Sequence, residues 1–465
     1  MAETSAKGAA KGVETLREGL RGELVLPQDA AYESARRIWN AMIDKRPAAI
    51  VRCGAVTDVV RAVEFARASG MPLAVRGGGH HIAGNALCDD GVVIDFSAMK
   101  AVSVDADGRR ASVEAGATLG DVDGATQAHG LATPLGINST TGVAGLTLGG
   151  GFGWLSRRYG MTVDNLEWAE VVTAAGKTLR ASEDEHPDLF WALRGGGGNF
   201  GVVTRFGFRL HRVGPQVLAG LIVYPFEEAK QVLQRFREFT AKAPDELAVW
   251  AVTRLAPPLP FLPESAHGTP IVALALLYAG DPAQGMSLVE PLRGFGTPLG
   301  EHIGEQPYAG WQKAFDPLLA PGARNYWKSH NFSTLADGLF DATIDAITEL
   351  PSPQCEIFFG GIGGAASRVA PDATAYAHRE TQFAMNVHGR WEQPEDDARC
   401  VRWAREFFEA SQPFALGSVY VNFLTADESD RVRAAYGPNY DRLAKVKATY
   451  DPDNLFRVNQ NIRPS

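Results

Sequence analysis

Arg76-Gly77-Gly78-Gly79-His80-His81-Ile82-Ala83-Gly84-Asn85 is the stretch on which the reading of the chain turns. Just before it, Met71-Pro72-Leu73-Ala74-Val75 is an apolar run with the length of a buried strand. Glycine reaches positive φ and lets a ligand rest directly on the backbone. Successive free N–H groups in such a turn make a concave anion site, and Arg76 adds a permanent charge. The stretch therefore has the make-up of a phosphate cradle with an imidazole at its rim. A tight glycine turn bearing two solvated histidines has the same composition.

Two more glycine runs follow, Thr141-Gly142-Val143-Ala144-Gly145-Leu146-Thr147-Leu148-Gly149-Gly150-Gly151-Phe152-Gly153 and Gly195-Gly196-Gly197-Gly198-Asn199-Phe200-Gly201-Val202-Val203-Thr204. The chain closes on Tyr450-Asp451-Pro452-Asp453-Asn454-Leu455-Phe456-Arg457-Val458-Asn459-Gln460-Asn461-Ile462. In order, spacing and wording these four places resemble the berberine bridge enzyme-like flavoproteins, which carry a PCMH-type FAD-binding domain of the vanillyl-alcohol-oxidase kind. Within that family the chain is similar to the bacterial 6-hydroxy-D-nicotine oxidase-like members.

The resemblance spans residues 20 to 465 and implies an α+β fold. It places a two-part FAD-binding domain at 21–213 and 416–465 around a substrate domain at 214–415, built on an antiparallel sheet with helices; residues 1–20 read as a flexible tail. It implies FAD bonded through its 8α-methyl to His80, with His81 where many relatives have serine. Arg76, Gly77, Gly78, Gly79, Gly84 and Asn85 belong to the same loop. Gly142, Gly145 and Gly149 are expected on the pyrophosphate or ribityl side, and Thr141, Val203, Asn422 and Asn459 complete the cofactor site. Members with a second link place a cysteine at the start of the middle run. Aligning on the triple glycine puts Asn138 there, so no cysteinyl link is expected.

The catalytic base is harder to place. Several oxidases of the family show Tyr-x-Asn-Tyr where this chain has Tyr420-Val421-Asn422-Phe423, and phenylalanine cannot take a proton. Tyr420 is then either a base or a wall of the pocket. In a strand, Gln382, Asn386 and His388 share one face, and the resemblance implies that this face looks at the flavin. His388 titrates near neutral pH and suits proton transfer; a hydrogen-bonded surface histidine is the alternative. Glu356, among Cys355, Ile357, Phe358 and Phe359, would cost several kcal/mol to bury unless paired, so it is exposed, partnered or functional.

Composition sets the outer limits. A chain of 465 residues holds two or three domains or one composite. A net charge of −9 with scattered basic residues argues against nucleic acid or an anionic membrane as partner. No apolar run has the length of a span, and none resembles a signal segment. The four cysteines show no metal or disulfide spacing, so no metal is expected and the compartment expected is the cytoplasm. Gly196-x-Gly198-x-x-Gly201 matches the dinucleotide fingerprint in letters but precedes a strand instead of opening a helix. P-loop, zincin and serine-hydrolase motifs are absent from the sequence.

Local patterns predict a helix over 32–43, a helix opened by Thr57 or Asp58 and stopped at Gly70, and a hairpin around Asp107-Gly108. They also predict an amphipathic helix after Pro225 along Val232, Leu233, Phe236 and Phe239, and a strand over 271–278. The function expected is an FAD-dependent oxidase. It would take a hydride from a C–H beside N or O of a small organic substrate and pass electrons to O2 or another acceptor. An oxygen-resistant dehydrogenase, a redox-neutral tailoring enzyme and a disabled flavin-binding protein stand as alternatives. No motif bears on oligomeric state.

Overall fold

The computed structural model describes residues 12–465. Its opening unit is a four-stranded sheet in the order 23–25, 49–52, 92–95, 73–76, and the last three strands run parallel. The strands Ala49–Arg52 and Val92–Asp95 are buried along nearly their whole length, as continuous apolar runs in a covered parallel sheet should be. Helix Val56–Ser69 makes the crossover and ends at Gly70, whose φ of 71° is open to glycine without strain. Its cap differs from expectation. Ala55 occupies the N-cap, and the Asp58 carboxylate, one turn in, accepts from the N–H groups of Gly54, Arg21 and Gly22.

Two expectations fail here. Helix spacing over 32–43 yields helix only over Tyr32–Ala35. Beyond it, tertiary hydrogen bonds override local propensity: Trp39 Nε1 donates to Leu319 O at 2.7 Å, and the Asn40 side chain clasps both backbone groups of Asn325. The tail expected over 1–20 also ends early. Val13 and Leu16 pack into the core at 2% and 5% exposure. Residues 1–11 lie outside the described residues.

A five-stranded antiparallel sheet follows, ordered 102–105, 110–114, 202–209, 166–172, 178–182. The hairpin at Asp107-Gly108 joins its first two strands, and the third glycine run feeds its central strand Val202–Arg209.

The third sheet has seven antiparallel strands, ordered 300–307, 216–225, 270–278, 247–255, 356–361, 383–391, 324–332. Helices Ala229–Thr240, Asp337–Thr348 and Asp397–Ser411 pack on it. Helix Ala229–Thr240 buries Val232, Leu233 and Phe236 at helical spacing, each contributing about 1.5–3 kcal/mol through lost apolar surface. The other sheet face turns toward the glycine runs. Among the described residues no helix is long and apolar enough to cross a membrane, and no cluster of His, Cys, Asp or Glu could hold a metal.

Candidate active site

Between the glycine runs and the free face of the seven-stranded sheet lies a cleft of about 560 Å³. Its wall is made chiefly of backbone. A Cβ at Gly78 would stand 2.3 Å from the Gly142 nitrogen, so the first two runs touch main chain to main chain. The third run meets the C-terminal motif through Asn199. That side chain donates to Gln460 O at 3.2 Å and accepts from Ile462 N at 3.0 Å. Buried Lys447 binds Asp451 at 2.6 Å, Asn199 O at 2.7 Å and Phe456 O at 2.9 Å, fastening the same junction.

The structure gathers most of the residues picked from sequence. Gly77, Gly78, Gly79, His80, His81 and Asn85 line the cleft from the first loop. Thr141, Gly142, Gly145 and Val203 line it from the other runs, and Tyr420, Asn422 and Asn459 from the C-terminal part. Asn386 and His388 form part of its floor.

Four residues do not line it. Arg76 turns away to pair with Asp95 at 2.6 Å, so its charge is spent inside the fold and not on the cradle. Gly84 lies behind the loop and accepts from Lys45 Nζ. Gly149 leaves room for a neighbour: a Cβ there would stand 2.1 Å from Asn422 Oδ1. Gln382 precedes the strand Phe383–Trp391 and donates to Ser367 Oγ at 3.1 Å. Cys53, Cys88, Cys355 and Cys400 are buried thiols outside the lining.

His80 stacks on Trp39, centroids 5.1 Å apart. Burial lowers its pKa to about 4, so the imidazole is neutral at pH 7. Thr140 Oγ1 donates to Asn138 Oδ1 at 2.7 Å and stands 3.0 Å from His80 Nε2. With its own hydrogen committed, the hydroxyl accepts from His80 Nε2–H, and this network assigns the lone pair to Nδ1. His81 is likewise held neutral, near 4, by burial and then by Lys45.

The floor is ordered by strand register. One row across the sheet runs Ile271, Arg254, Glu356, His388, Trp327. The next runs Val223, Ala273, Val252, Phe358, Asn386. Arg254 Nη1 donates to Glu356 Oε2 at 2.5 Å, and Glu356 Oε1 stands 3.5 Å from His388 Nδ1. Burial alone would raise the Glu356 pKa, but Arg254, joined by His388 whenever it is protonated, outweighs it and holds the carboxyl at about 2. Asn325 Nδ2 donates to Ala323 O, so its Oδ1 accepts, and His388 Nε2 donates to it at 3.0 Å. His388 is therefore protonated on Nε2. Burial lowers its pKa, with Glu356 pulling the other way.

Tyr420 is differently placed. Its hydroxyl accepts from Gly151 N and Asn422 Nδ2, both at 2.9 Å, and burial lifts its pKa to about 12. Phe423 meets Trp327 and Phe358 edge-on, at 5.4 and 6.3 Å between centroids. Arg254, Trp327, Thr140 and Trp39 escaped sequence reasoning. Each acts through a cross-strand neighbour or a loop contact that no local spacing encodes.

The wall suits a dinucleotide. Val75, 36% exposed in the otherwise buried strand Leu73–Arg76, opens onto the same cleft. Buried Asn459 Oδ1 and His81 Nδ1 lack protein partners. Among the described lining residues Arg254 is the one guanidinium and there is no lysine. A bound diphosphate would therefore be met by main-chain N–H groups of the glycine runs.

Comparison with known proteins agrees with this chemistry. The family model for an FAD binding domain matches residues 47–182, and that described as "Berberine and berberine like" matches 419–463. An FAD-linked oxidoreductase of Bacillus subtilis is 32% identical, the alignment covering 96% of this chain and 97% of that protein. (R)-6-hydroxynicotine oxidase of Paenarthrobacter nicotinovorans is 29% identical over 96% of this chain and 97% of its own. The crystal structure of 6-hydroxy-D-nicotine oxidase from Arthrobacter nicotinovorans superposes with a TM-score of 0.86 at 28% identity, covering 96% of this chain and 99% of that one.

Proposed function

We propose, for a chain that belongs to the berberine bridge enzyme-like FAD-linked oxidoreductases, an oxidase in which His80 holds the flavin covalently and His388 accepts the substrate proton. Residues 21–213 and 416–465 serve as the FAD-binding part and 214–415 as the substrate part. FAD bound here would supply the hydride acceptor, and with O2 as final acceptor the two electrons would leave as hydrogen peroxide.

The observation that carries the reading is the His388–Glu356 pair in the cleft floor. With Nε2–H committed to Asn325, Nδ1 is the atom free to take a proton from a substrate O–H or N–H. Glu356, kept ionised by Arg254, stabilises the imidazolium that results. Trp327 packs edge-on against His388, and Phe423 against Trp327, so apolar rings border the pair on one side and lower the local dielectric, which strengthens that charge interaction. The proton acceptor missing at Phe423 is thus replaced from the sheet, while Tyr420 serves as a strut between Gly151 and Asn422.

His80 Nδ1, unprotonated and held by Thr140 and Trp39, is the nucleophilic atom suited to the covalent link. The acceptor proposed is O2 and the compartment the cytoplasm, consistent with four unpaired cysteines. The test is stopped-flow mixing of anaerobically reduced enzyme with air. An oxidase returns the oxidised spectrum rapidly with one peroxide per flavin. Slow return makes the protein a dehydrogenase. A flavin that no amine or alcohol bleaches makes it a binding protein.

A further inference from the structure

The charged row of the floor is a single row. On its side toward Tyr420 the sheet becomes apolar. Val223, Ala273, Val252 and Phe358 form the next row, and Leu221, Ala275 and Trp250 the one after. Leu221, Val252 and Phe358 lie in the middle of a sheet yet are only half-buried. They face the cleft that the cofactor shares, and they belong to rows without a polar side chain between Val223 and Phe358. The small Ala273 and Ala275 lower the surface between their larger neighbours, which makes a trough. Pro257 and Leu259 border one side of the same cleft, and Phe315 and Leu318 belong to its lining as well.

Polar groups within reach are few. Arg254 and Glu356 neutralise each other. Asn386, between Phe358 and Ser329 in the second row, is 1% exposed, and neither Oδ1 nor Nδ2 has a partner; the Ser329 hydroxyl is committed to Met385 O. A sugar laid in the trough would bring several hydroxyls against aliphatic side chains. Each hydroxyl stripped of water without a partner weakens binding about fivefold or more.

We infer that the substrate is an elongated, largely apolar molecule, such as an alkyl- or isoprenoid-substituted alcohol, phenol or amine. Its one polar head meets His388 and Asn386, and its hydrocarbon part lies along Ala273, Val252 and Leu221. The inference rests on the proposed function for which end reacts; the trough itself is independent of the chemistry.

The test is calorimetric titration of the FAD-loaded protein with 4-n-alkylphenols from methyl to octyl, and with xylobiose. Burying about 0.8 kcal/mol per methylene tightens binding by up to about fourfold per added carbon until the trough is full. Ala273→Leu, which fills the trough, flattens the series. Should that variant fold poorly, Val252→Thr, similar in volume but polar, weakens the octyl member more than the methyl one. Affinity independent of chain length overturns the inference. So does xylobiose binding more tightly than butylphenol, or no binding by any alkylphenol. Failure of the proposed function looks different: slow reoxidation in air, or flavin reduction unaffected in His388→Gln, with the chain-length series still steep.

Discussion

The two sides of the cleft are made of different material. The wall is main chain: three glycine runs and the C-terminal motif meet so closely that Gly78 and Gly142 have no room for a methyl group. The floor is side chain: Arg254, Glu356, His388 and Trp327 come one each from four adjacent strands. A backbone wall accepts any ligand with the right curvature and charge, which suits a cofactor shared across a family. A side-chain floor changes with each substitution, which suits substrates that differ between members. Wall and floor should therefore break in opposite ways, the first mainly by adding atoms and the second by removing them.

The sharpest exception to that rule is His80, the side chain on which the wall's covalent hold is proposed to depend. Acid precipitation of wild type should leave the yellow colour in the pellet, and His80→Ala should release all of it. Colour that stays with the variant would place the link elsewhere. The largest effect expected on the floor is His388→Gln, with a fall of about 10²- to 10⁴-fold in the rate constant of flavin reduction. The pH profile supplies the sign. Burial lowers the His388 pKa, so Nδ1 becomes available as pH rises, and the wild-type rate should plateau below the ordinary histidine range. Glu356 raises that pKa, so Glu356→Gln should move the acidic limb lower still. A limb that persists in His388→Gln would assign it to another group.

Adding one methyl to the wall, Gly78→Ala, should cost about 1–3 kcal/mol through overpacking. It should lower Tm and FAD retention together. Retention lost at unchanged Tm would mean the loop touches FAD without supporting the fold. The smallest effect on chemistry is expected from Tyr420→Phe. Removing the hydroxyl strands Gly151 N–H and the Asn422 amide, about 1–3 kcal/mol of stability, while flavin reduction stays within tenfold. A loss beyond a thousandfold would restore Tyr420 as the base.

How much of this was legible in the sequence follows from the same division. Glycine runs are contiguous, so the wall could be read from three short stretches and a C-terminal motif. The floor could be read only where two of its residues share a strand, as Asn386 and His388 do. Arg254 and Trp327 reach the site through pairing register, which one strand's pattern does not contain. Gln382 has the same parity as Asn386 but precedes the strand and bends to Ser367. Arg76 has its partner, Asp95, on the adjacent parallel strand, 19 positions away and invisible from its sequence neighbours. Trp39 showed the spacing of a helix face, yet its indole N–H is claimed by Leu319.

The junction of Asn199, Lys447 and Asp451 with the C-terminal motif has a consequence for how the protein is made. A nascent chain that has emerged as far as residue 415 contains every strand of all the sheets and the three glycine runs. It still lacks Tyr420, Asn422 and Asn459 and the lysine that binds Asn199 O. Until the last segment arrives, the half-built cleft leaves Val75 and the apolar trough open to solvent. The same segment brings Leu424, Tyr436, Leu443 and Ile462 into the core of the first part, so the cleft and the packing beneath it are completed together, by the last residues to be made.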